Sequence, residues 1–174
     1  DGLGKVFDAL IRRGLYDDTL IIVLADHGDE FMEHGLLSHG FTLYDEVIRV
    51  PLIVKFPCPG PHCAPRIVKP QVELVDVFPT VMSVLGAKPP ANLVGRNLSE
   101  DAAESRIAYS ELYTKIALRT PERKWIYDEQ DDSGELFNLA QDPGETNDLA
   151  AREPATREFL ASRVLDFAAT YRKD

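Results

Sequence analysis

The 174-residue sequence predicts an α/β fold in its first half, followed by a small antiparallel sheet and a closing helix. Three patterns support this prediction: an opening stretch with helical periodicity, two continuous aliphatic runs bounded by turn residues, and later short runs with partial alternation. The change in pattern predicts an α/β domain over residues 1–86, a linker over 87–94 and an α+β subdomain over 95–174.

The predicted α/β domain opens with a helix and contains two buried strands. Apolar side chains in residues 2–13 recur at helical spacing, and Gly14 follows as a helix stop. The aliphatic runs TLIIVLA (19–25) and VPLIVKF (50–56) do not alternate with polar residues. Such runs are typical of parallel-type strands that are covered on both faces.

Between the second strand and the linker, the sequence predicts a loop and a short helix. Cys58 and Cys63 lie in the turn-rich loop, and we interpret them as two loop thiols. A local disulfide and a surface metal contact with His62 are the alternatives. Further on, Asp76 is expected to cap a short helix that stops at Gly86.

The second half is predicted to form an antiparallel sheet that is open on one face. Its strands are the runs RIAYSEL, KIALRT, RKWIYDE and ELFNLA, which turn residues separate. Trp125, Tyr127 and Phe137 are expected to pack in the core of this sheet. Residues 153–171 predict the closing helix, whose inner stripe consists of Phe159, Leu160, Val164, Phe167 and Tyr171.

The composition is that of a soluble globular protein, with 44% hydrophobic and 28% charged residues. A formal net charge of −10 argues against a nucleic-acid-binding protein, which normally presents a basic face. The longest apolar run, LIIVLA (20–25), is far shorter than a membrane span. These properties exclude classes of protein but indicate no activity.

The stretch LADHGDEFMEHGLLSHG (24–40) contains three of the four histidines. Asp26 and His27 follow directly on the first buried strand, and ligands of open α/β sheets bind beyond such strand ends. A carboxylate beside a neutral imidazole suits Ca, Mn, Zn or Mg to differing degrees. Gly28 is expected to let the chain turn away from this site, and Asp29 and Glu30 to keep its rim acidic.

The segment TLIIVLADHGDEFMEHGLLSHGFTLYDEVIRVPLIVKFP (19–57) resembles the late half of the sulfatase family, within the alkaline-phosphatase-like superfamily, and further segments continue the resemblance. VELVDVFPTVMSVLG matches an Asp-x-x-Pro-Thr segment at Asp76, and LVGRNL resembles the Gly-x-x-Leu that follows it. KWIYDEQDDSGELFNLAQDPGETNDLA resembles a C-terminal signature with Asp-Pro-x-Glu at Asp142. The resemblance covers nearly the whole chain in order, and it implies that the chain is the C-terminal portion of an alkaline-phosphatase-like fold.

The resemblance also implies roles for individual residues. Asp26 and His27 would be two ligands of a divalent metal ion. His39 stands where family members commonly have a lysine that contacts the sulfate or phosphate oxyanion, so it would be a catalytic and substrate-binding residue. His34 is predicted as a substrate-binding residue, and a structural or rim role for it is favoured slightly over a catalytic one. Glu46 and Arg49 are interpreted as a salt-bridged helix end.

One expected part of a sulfatase is missing from the sequence. No Cys/Ser-x-Pro-x-Arg segment, which would supply a formylglycine nucleophile, occurs in the chain, and the formylglycine is expected upstream. Asp17–Asp18 and Asp131–Asp132 are interpreted as solvated turns rather than further metal ligands. The prediction is therefore part of a metal-dependent sulfuric ester hydrolase whose isolated C-terminal fragment is inactive.

Two alternatives remain open at this level. The first is a phosphodiesterase or phosphonate monoester hydrolase of the same superfamily, and the second is a non-catalytic module that binds a partner. The expected partners are a small sulfate or phosphate ester and the missing N-terminal half of the catalytic domain. Without that half, the strands 19–25 and 50–56 would have an open edge, so the fragment is expected to self-associate.

Overall fold

The computed structural model describes residues 2–58, 64–100 and 106–171. Its helices are α1 (Gly2–Arg12), α2 (Asp45–Ile48), α3 (Val77–Val84) and α4 (Pro154–Tyr171), with a 3₁₀ turn at Leu74–Asp76. Its strands are β1 (Ile21–Leu24), β2 (Glu30–Phe31), β3 (Leu37–Ser38), β4 (Leu52–Lys55), β5 (Ala108–Leu112), β6 (Lys115–Arg119), β7 (Arg123–Asp128) and β8 (Ser133–Asn138). Within these ranges, none of the helices has the length and apolar character needed to cross a membrane.

The chain divides into two compact units. The first unit consists of residues 1–25 and 51–103, and the second consists of residues 26–50 and 104–174. This division differs from the predicted boundaries at residues 86 and 95, because the segment 26–50 leaves the first unit and belongs with the C-terminal sheet. The segment that carries the candidate site residues is therefore part of the second unit.

In the first unit, the two aliphatic runs form one strand pair. β1 pairs with β4 in antiparallel register, from Ile21 opposite Lys55 to Leu24 opposite Leu52. The expectation of parallel-type strands is thus wrong for this pair, because a continuous apolar run indicates cover on both faces and not strand direction. The strands are also incompletely covered, since Leu24 is 40% exposed and Ile53 is 63% exposed.

The opening helix forms where its periodicity predicts it. α1 ends at Arg12, and Gly14 follows with a φ of +65°, a conformation that glycine adopts at little cost. The apolar stripe of α1 is not buried, however, and Val6 and Ile11 are more than half exposed. The sequence therefore determines the helix, but it does not determine what covers its apolar face.

Asp76 has a different role from the predicted helix cap. Its side chain is fully buried and makes no capping bond to α3. It accepts hydrogen bonds from the backbone N–H of Glu73 at 2.9 Å and of Arg96 at 2.8 Å. Thr80 donates to the carbonyl of Asp76 and accepts from the N–H of Leu98, so the Asp-x-x-Pro-Thr segment holds two loops of the first unit together.

The second unit is built on the predicted antiparallel sheet, with strand order β5-β6-β7-β8. Successive side chains of a strand point to opposite faces. On one face, Ile116, Trp125 and Leu136 pack with Leu160 and Val164 of α4. The predicted inner stripe of α4 is confirmed for these two residues and for Phe167, which packs against the same cluster. It is wrong for Phe159 and Tyr171, which are 58% and 53% exposed.

The opposite face of the sheet is also covered, so the prediction of an open face is wrong. Ala117, Ile126 and Phe137 form a second cluster with Leu43 and with Ile48 at the end of α2. The cover comes from the segment 26–50, which lies far away in sequence. Partial alternation in the strands did not reveal it, because two of the side chains on this face are the charged Arg119 and Lys124.

The interpretation of the two cysteines as free loop thiols is wrong for Cys58, which is disulfide-bonded. Cys63 and His62 lie outside the described residues. At the start of this loop, which the structure does describe, the N–H of Cys58 donates to the carbonyl of Asp17 at 2.8 Å.

Candidate metal and anion site

Asp26 and His27 lie side by side at the start of the second unit. The N–H of His27 donates to Asp26 Oδ1 at 3.1 Å. The second carboxylate oxygen of Asp26 lies 3.8 Å from His27 Nε2, and the Asp26 side chain is 87% exposed. The two side chains thus present a carboxylate oxygen and a ring nitrogen to the same accessible region.

The hydrogen bond that His27 makes to its neighbour determines its tautomer. His27 Nδ1 lies 2.9 Å from the carbonyl oxygen of Gly28. A carbonyl only accepts, so Nδ1 carries the proton and donates it. The lone pair of the neutral ring is then on Nε2, the atom that faces Asp26. Metal-ligating histidines are commonly oriented by such a bond from the other ring nitrogen.

His39 is brought against His27 by the segment between them. The two ring centroids are 3.8 Å apart, and the ring planes are inclined by 33°. His39 Nδ1 lies 2.7 Å from Asp29 Oδ1, and both side chains are about half exposed. His27, Asp29 and His39 each offer a ligand atom, and these atoms lie within 4.8 Å of one another.

The donors present suit a divalent cation. Two ligands that bind one ion at about 2.0–2.4 Å lie roughly 3–4 Å apart, and the 3.8 Å between Asp26 Oδ2 and His27 Nε2 falls in this range. Mixed carboxylate and imidazole donors are compatible with Mn and Zn as well as with the harder cations. The residues fit the metal that the sequence resemblance implies, without identifying it.

His34 is held away from this group and is largely buried, with a side chain 12% exposed. Its Nδ1 lies 2.5 Å from Glu46 Oε1, its Nε2 lies 3.1 Å from the carbonyl of Glu145, and its ring stacks on Tyr44. Burial disfavours the imidazolium, but the hydrogen bond to Glu46 and the bond to Glu145 raise the pKa of His34 above its ordinary value. Both ring nitrogens are engaged, which favours the structural role over substrate contact.

Two side chains near the site differ from their predicted environments. Glu30 was expected on the acidic rim, but it is 2% exposed and accepts a hydrogen bond from the Thr42 hydroxyl. Its neighbour Phe31 is 72% exposed, so the short strand β2 places its charged residue inside and its aromatic residue outside. Glu46 pairs with His34, which corrects the predicted helix-end salt bridge with Arg49.

A buried cluster of charged side chains, which was not predicted from the sequence, joins the segment 26–50 to the C-terminal sheet. Lys124 is fully buried, with Nζ 2.8 Å from Glu145 Oε1 and 3.1 Å from Asp45 Oδ1. Arg119 also binds both carboxylate oxygens of Asp45, at 3.0 and 2.8 Å. The only signals in the sequence were a lysine within the apolar run KWIY and the glutamate of Asp-Pro-Gly-Glu.

The two carboxylates of this cluster respond differently to their burial. Burial raises the pKa of Glu145, although the charge of Lys124 opposes the change. Burial would also raise the pKa of Asp45, but the hydrogen bond from Arg119 and the charge of Lys124 outweigh it and lower that pKa. Asp45 has two cationic partners and Glu145 has one, which accounts for the difference.

A shallow cavity adjoins His39. It has a volume of about 390 Å³ and is lined by His39, Gly40, Phe41 and the hairpin residues 112–115. Tyr113, at the tip of the hairpin between β5 and β6, is 86% exposed. The candidate anion contact therefore opens onto space that could accommodate an organic group.

Comparison with known proteins identifies one family. Residues 1–87 match the sequence model of the family described as Sulfatase. The chain is 35% identical to the multifunctional alkaline phosphatase superfamily protein PehA of Trinickia caryophylli, over 78% of this chain and 26% of that protein. It is 32% identical to the choline-sulfatase of Rhizobium meliloti, over 85% of this chain and 30% of that protein.

A solved structure supports the same relationship. The phosphonate monoester hydrolase of Agrobacterium radiobacter superposes with a TM-score of 0.83 at 27% identity, over 97% of this chain and 38% of that chain. The present chain thus spans about a quarter to two fifths of the length of the proteins it matches.

Proposed function

This chain belongs to the sulfatase family, and we propose that it supplies part of the metal and anion site of a metal-dependent sulfuric ester hydrolase. Membership of the family indicates a hydrolase with an alkaline-phosphatase-like fold. Two observations carry the finer proposal: Asp26 Oδ2 lies 3.8 Å from His27 Nε2, and the ligand atoms of His27, Asp29 and His39 lie within 4.8 Å of one another.

In this proposal, Asp26 Oδ2 and His27 Nε2 hold a divalent cation. The cation would supply positive charge that polarises the ester and stabilises developing negative charge on its oxygens. His27 is kept in the required tautomer by donating its Nδ1 proton to Gly28. The Asp26 carboxylate is accessible to an ion, because its side chain is 87% exposed.

His39 is proposed to stabilise the oxyanion or the leaving group. Its Nδ1–H donates to the Asp29 carboxylate, which fixes the orientation of the ring. As an imidazolium, His39 presents an Nε2–H that can donate to an ester oxygen.

The covalent step requires a nucleophile that these residues do not provide. The sequence contains no Cys/Ser-x-Pro-x-Arg segment, so we expect the 174-residue chain alone to show no turnover. The chain would contribute metal binding and anion binding, while a formylglycine elsewhere in the parent protein would form the covalent bond to sulfur.

A phosphonate or phosphate ester hydrolase is the second candidate. It is favoured by the likeness to a phosphonate monoester hydrolase, with a TM-score of 0.83. The two candidates share the metal ligands and differ in the ester that is cleaved. A non-catalytic partner-binding module remains the third candidate, and it requires no metal affinity.

The decisive experiment measures metal binding by the chain. We expect Mn²⁺ or Ca²⁺ to bind in isothermal titration, and we expect Asp26→Ala and His27→Ala each to weaken binding at least tenfold. Asp131→Ala, in an exposed turn, is the matched control and should bind like the unmodified chain. Equal binding by all four proteins would contradict the proposed site and favour the partner-binding module.

Turnover is measured in parallel with 4-nitrophenyl sulfate and a 4-nitrophenyl phosphonate ester. No hydrolysis by the chain alone is the expected result. Metal-dependent hydrolysis that Asp26→Ala abolishes would overturn the expected inactivity of the fragment, and the preferred ester would then distinguish the first two candidates.

A further inference from the structure

The backbone that immediately follows His27 is packed directly against helix α2. The N–H of Gly28 donates to the carbonyl of Val47 at 2.8 Å. A Cβ at Gly28 would lie 2.0 Å from the carbonyl oxygen of Glu46, so only glycine permits this approach. Gly28 was expected to free the site of a side chain. The structure shows instead that it allows the backbone next to His27 to pack against α2.

Helix α2 is too short to hold this position unaided. It has four residues, and isolated helices of such length are not stable in water. The residue that precedes it, Tyr44, makes no side-chain capping bond. The first free N–H of the helix, that of Asp45, instead donates to Glu145 Oε2 at 2.6 Å. The cap of α2 therefore comes from a residue 100 positions away in sequence.

Glu145 is itself held from several sides. Its other carboxylate oxygen lies 2.8 Å from Lys124 Nζ, and both side chains are completely buried. Its carbonyl oxygen accepts from His34 Nε2 at 3.1 Å. Its φ is +52°, which is unfavourable for a residue with a side chain and persists only where the surroundings enforce it. The Asp142 side chain closes the turn by accepting the N–H groups of Thr146 and Asn147.

We propose that Glu145 is a positioning residue for His27 and acts through α2. It caps α2 at Asp45, α2 fixes Gly28 through Val47 and Glu46, and Gly28 in turn fixes the backbone and the tautomer of His27. The Asp-Pro-Gly-Glu segment thus serves the metal site without touching it. The inference rests on the proposed function in one respect, namely that His27 holds a metal ion.

The test compares Glu145→Ala and Glu145→Gln with Val164→Ala, a control substitution at an equally buried residue. Val164 is a fully buried residue of α4, the helix that covers the opposite face of the sheet. Amide hydrogen exchange of the full chain is measured at Gly28 and at the backbone amides of the central strand β7. This readout reports the packing of Gly28 on α2 whether or not a metal binds.

We expect Glu145→Ala to accelerate amide exchange at Gly28 by a factor at least ten times larger than the factor by which it accelerates exchange in β7. Glu145→Gln, which retains an acceptor for the Asp45 N–H, should show a smaller selective effect, and it carries the test if the alanine variant does not fold. Val164→Ala should accelerate both sites by the same factor. Equal acceleration at Gly28 and β7 in both Glu145 variants would overturn the proposal.

Metal affinity supplies the second readout. If the unmodified chain binds Mn²⁺, Glu145→Ala is expected to weaken binding about tenfold, as loss of an outer support typically does, and Val164→Ala should leave affinity unchanged in the folded protein. If the unmodified chain binds neither Mn²⁺ nor Ca²⁺, the proposed function fails, and the exchange rates still decide whether Glu145 positions His27.

Discussion

The two units of the chain use similar apolar residues in different ways. In the described parts of the chain, all the buried aliphatic and aromatic side chains lie in the second unit, around the four-stranded sheet. In the first unit, α1 buries none of its residues, and Ile53 of β4 and Ile67 remain mostly exposed. The buried groups of the first unit are instead Pro79 and the polar Asp76 and Thr80.

This difference shows what an apolar pattern can and cannot indicate. The periodicity of α1 and the aliphatic runs of β1 and β4 show which faces are suited to burial. They do not show whether the covering residues belong to the same stretch of chain. The chain spans only about a quarter to two fifths of the length of its relatives. Self-association of the isolated chain remains a prediction that light scattering can check.

The largest expected effect tests where the core lies. Phe137 of β8 is 2% exposed and lies in the cluster on the second face of the sheet. Phe137→Ala should therefore lower the free energy of unfolding by about 3–5 kcal/mol. Ile53→Ala, at a residue 63% exposed, should change it by less than about 1 kcal/mol. Urea denaturation measures both. Similar losses for the two variants would contradict the contrast between the units.

The next effect tests the buried charges that join residues 26–50 to the sheet. Lys124→Met leaves the buried carboxylate of Glu145 without a cation, so a loss of about 3–5 kcal/mol is expected. Lys115→Met is the matched control on the neighbouring strand, where the side chain is 35% exposed and lies 3.9 Å from Asp128. Its expected loss is at most about 1 kcal/mol. A neutral or stabilising Lys124→Met would show that the cluster adds no stability.

The smallest effect is a dependence on pH. Because the pKa of His34 is raised in the folded protein, the imidazolium contributes stability that is fully present below its unfolded pKa of about 6.5 and is lost as pH rises through the folded pKa. The difference in unfolding free energy between the unmodified chain and His34→Gln should therefore be larger near pH 5.5 than near pH 8.5.

Urea titrations at both pH values measure this difference. Glu46, Glu145, Asp142 and Tyr44 are titratable groups around His34, and all are retained in the variant. An identical difference at both pH values would mean that His34 does not carry the pH dependence.

The sequence by itself determined the local features of this protein. α1 and its stop at Gly14 followed from the spacing of apolar residues, and the strands of the C-terminal sheet followed from short alternating runs. The ordered segments around Asp26, Asp76 and Asp142 were enough to indicate the family, which the family match confirms. Such features depend on residues close in sequence, where periodicity and turn chemistry act directly.

Only the tertiary structure decided how distant segments meet. The antiparallel pairing of β1 with β4, the cover of the second sheet face and the burial of Lys124 depend on contacts between residues far apart in the chain. The same holds for Glu145, whose cap on Asp45 spans 100 positions. From the sequence alone, a charged side chain is expected to be exposed. Its burial becomes favourable only when a residue of opposite charge, here from a distant part of the chain, pairs with it.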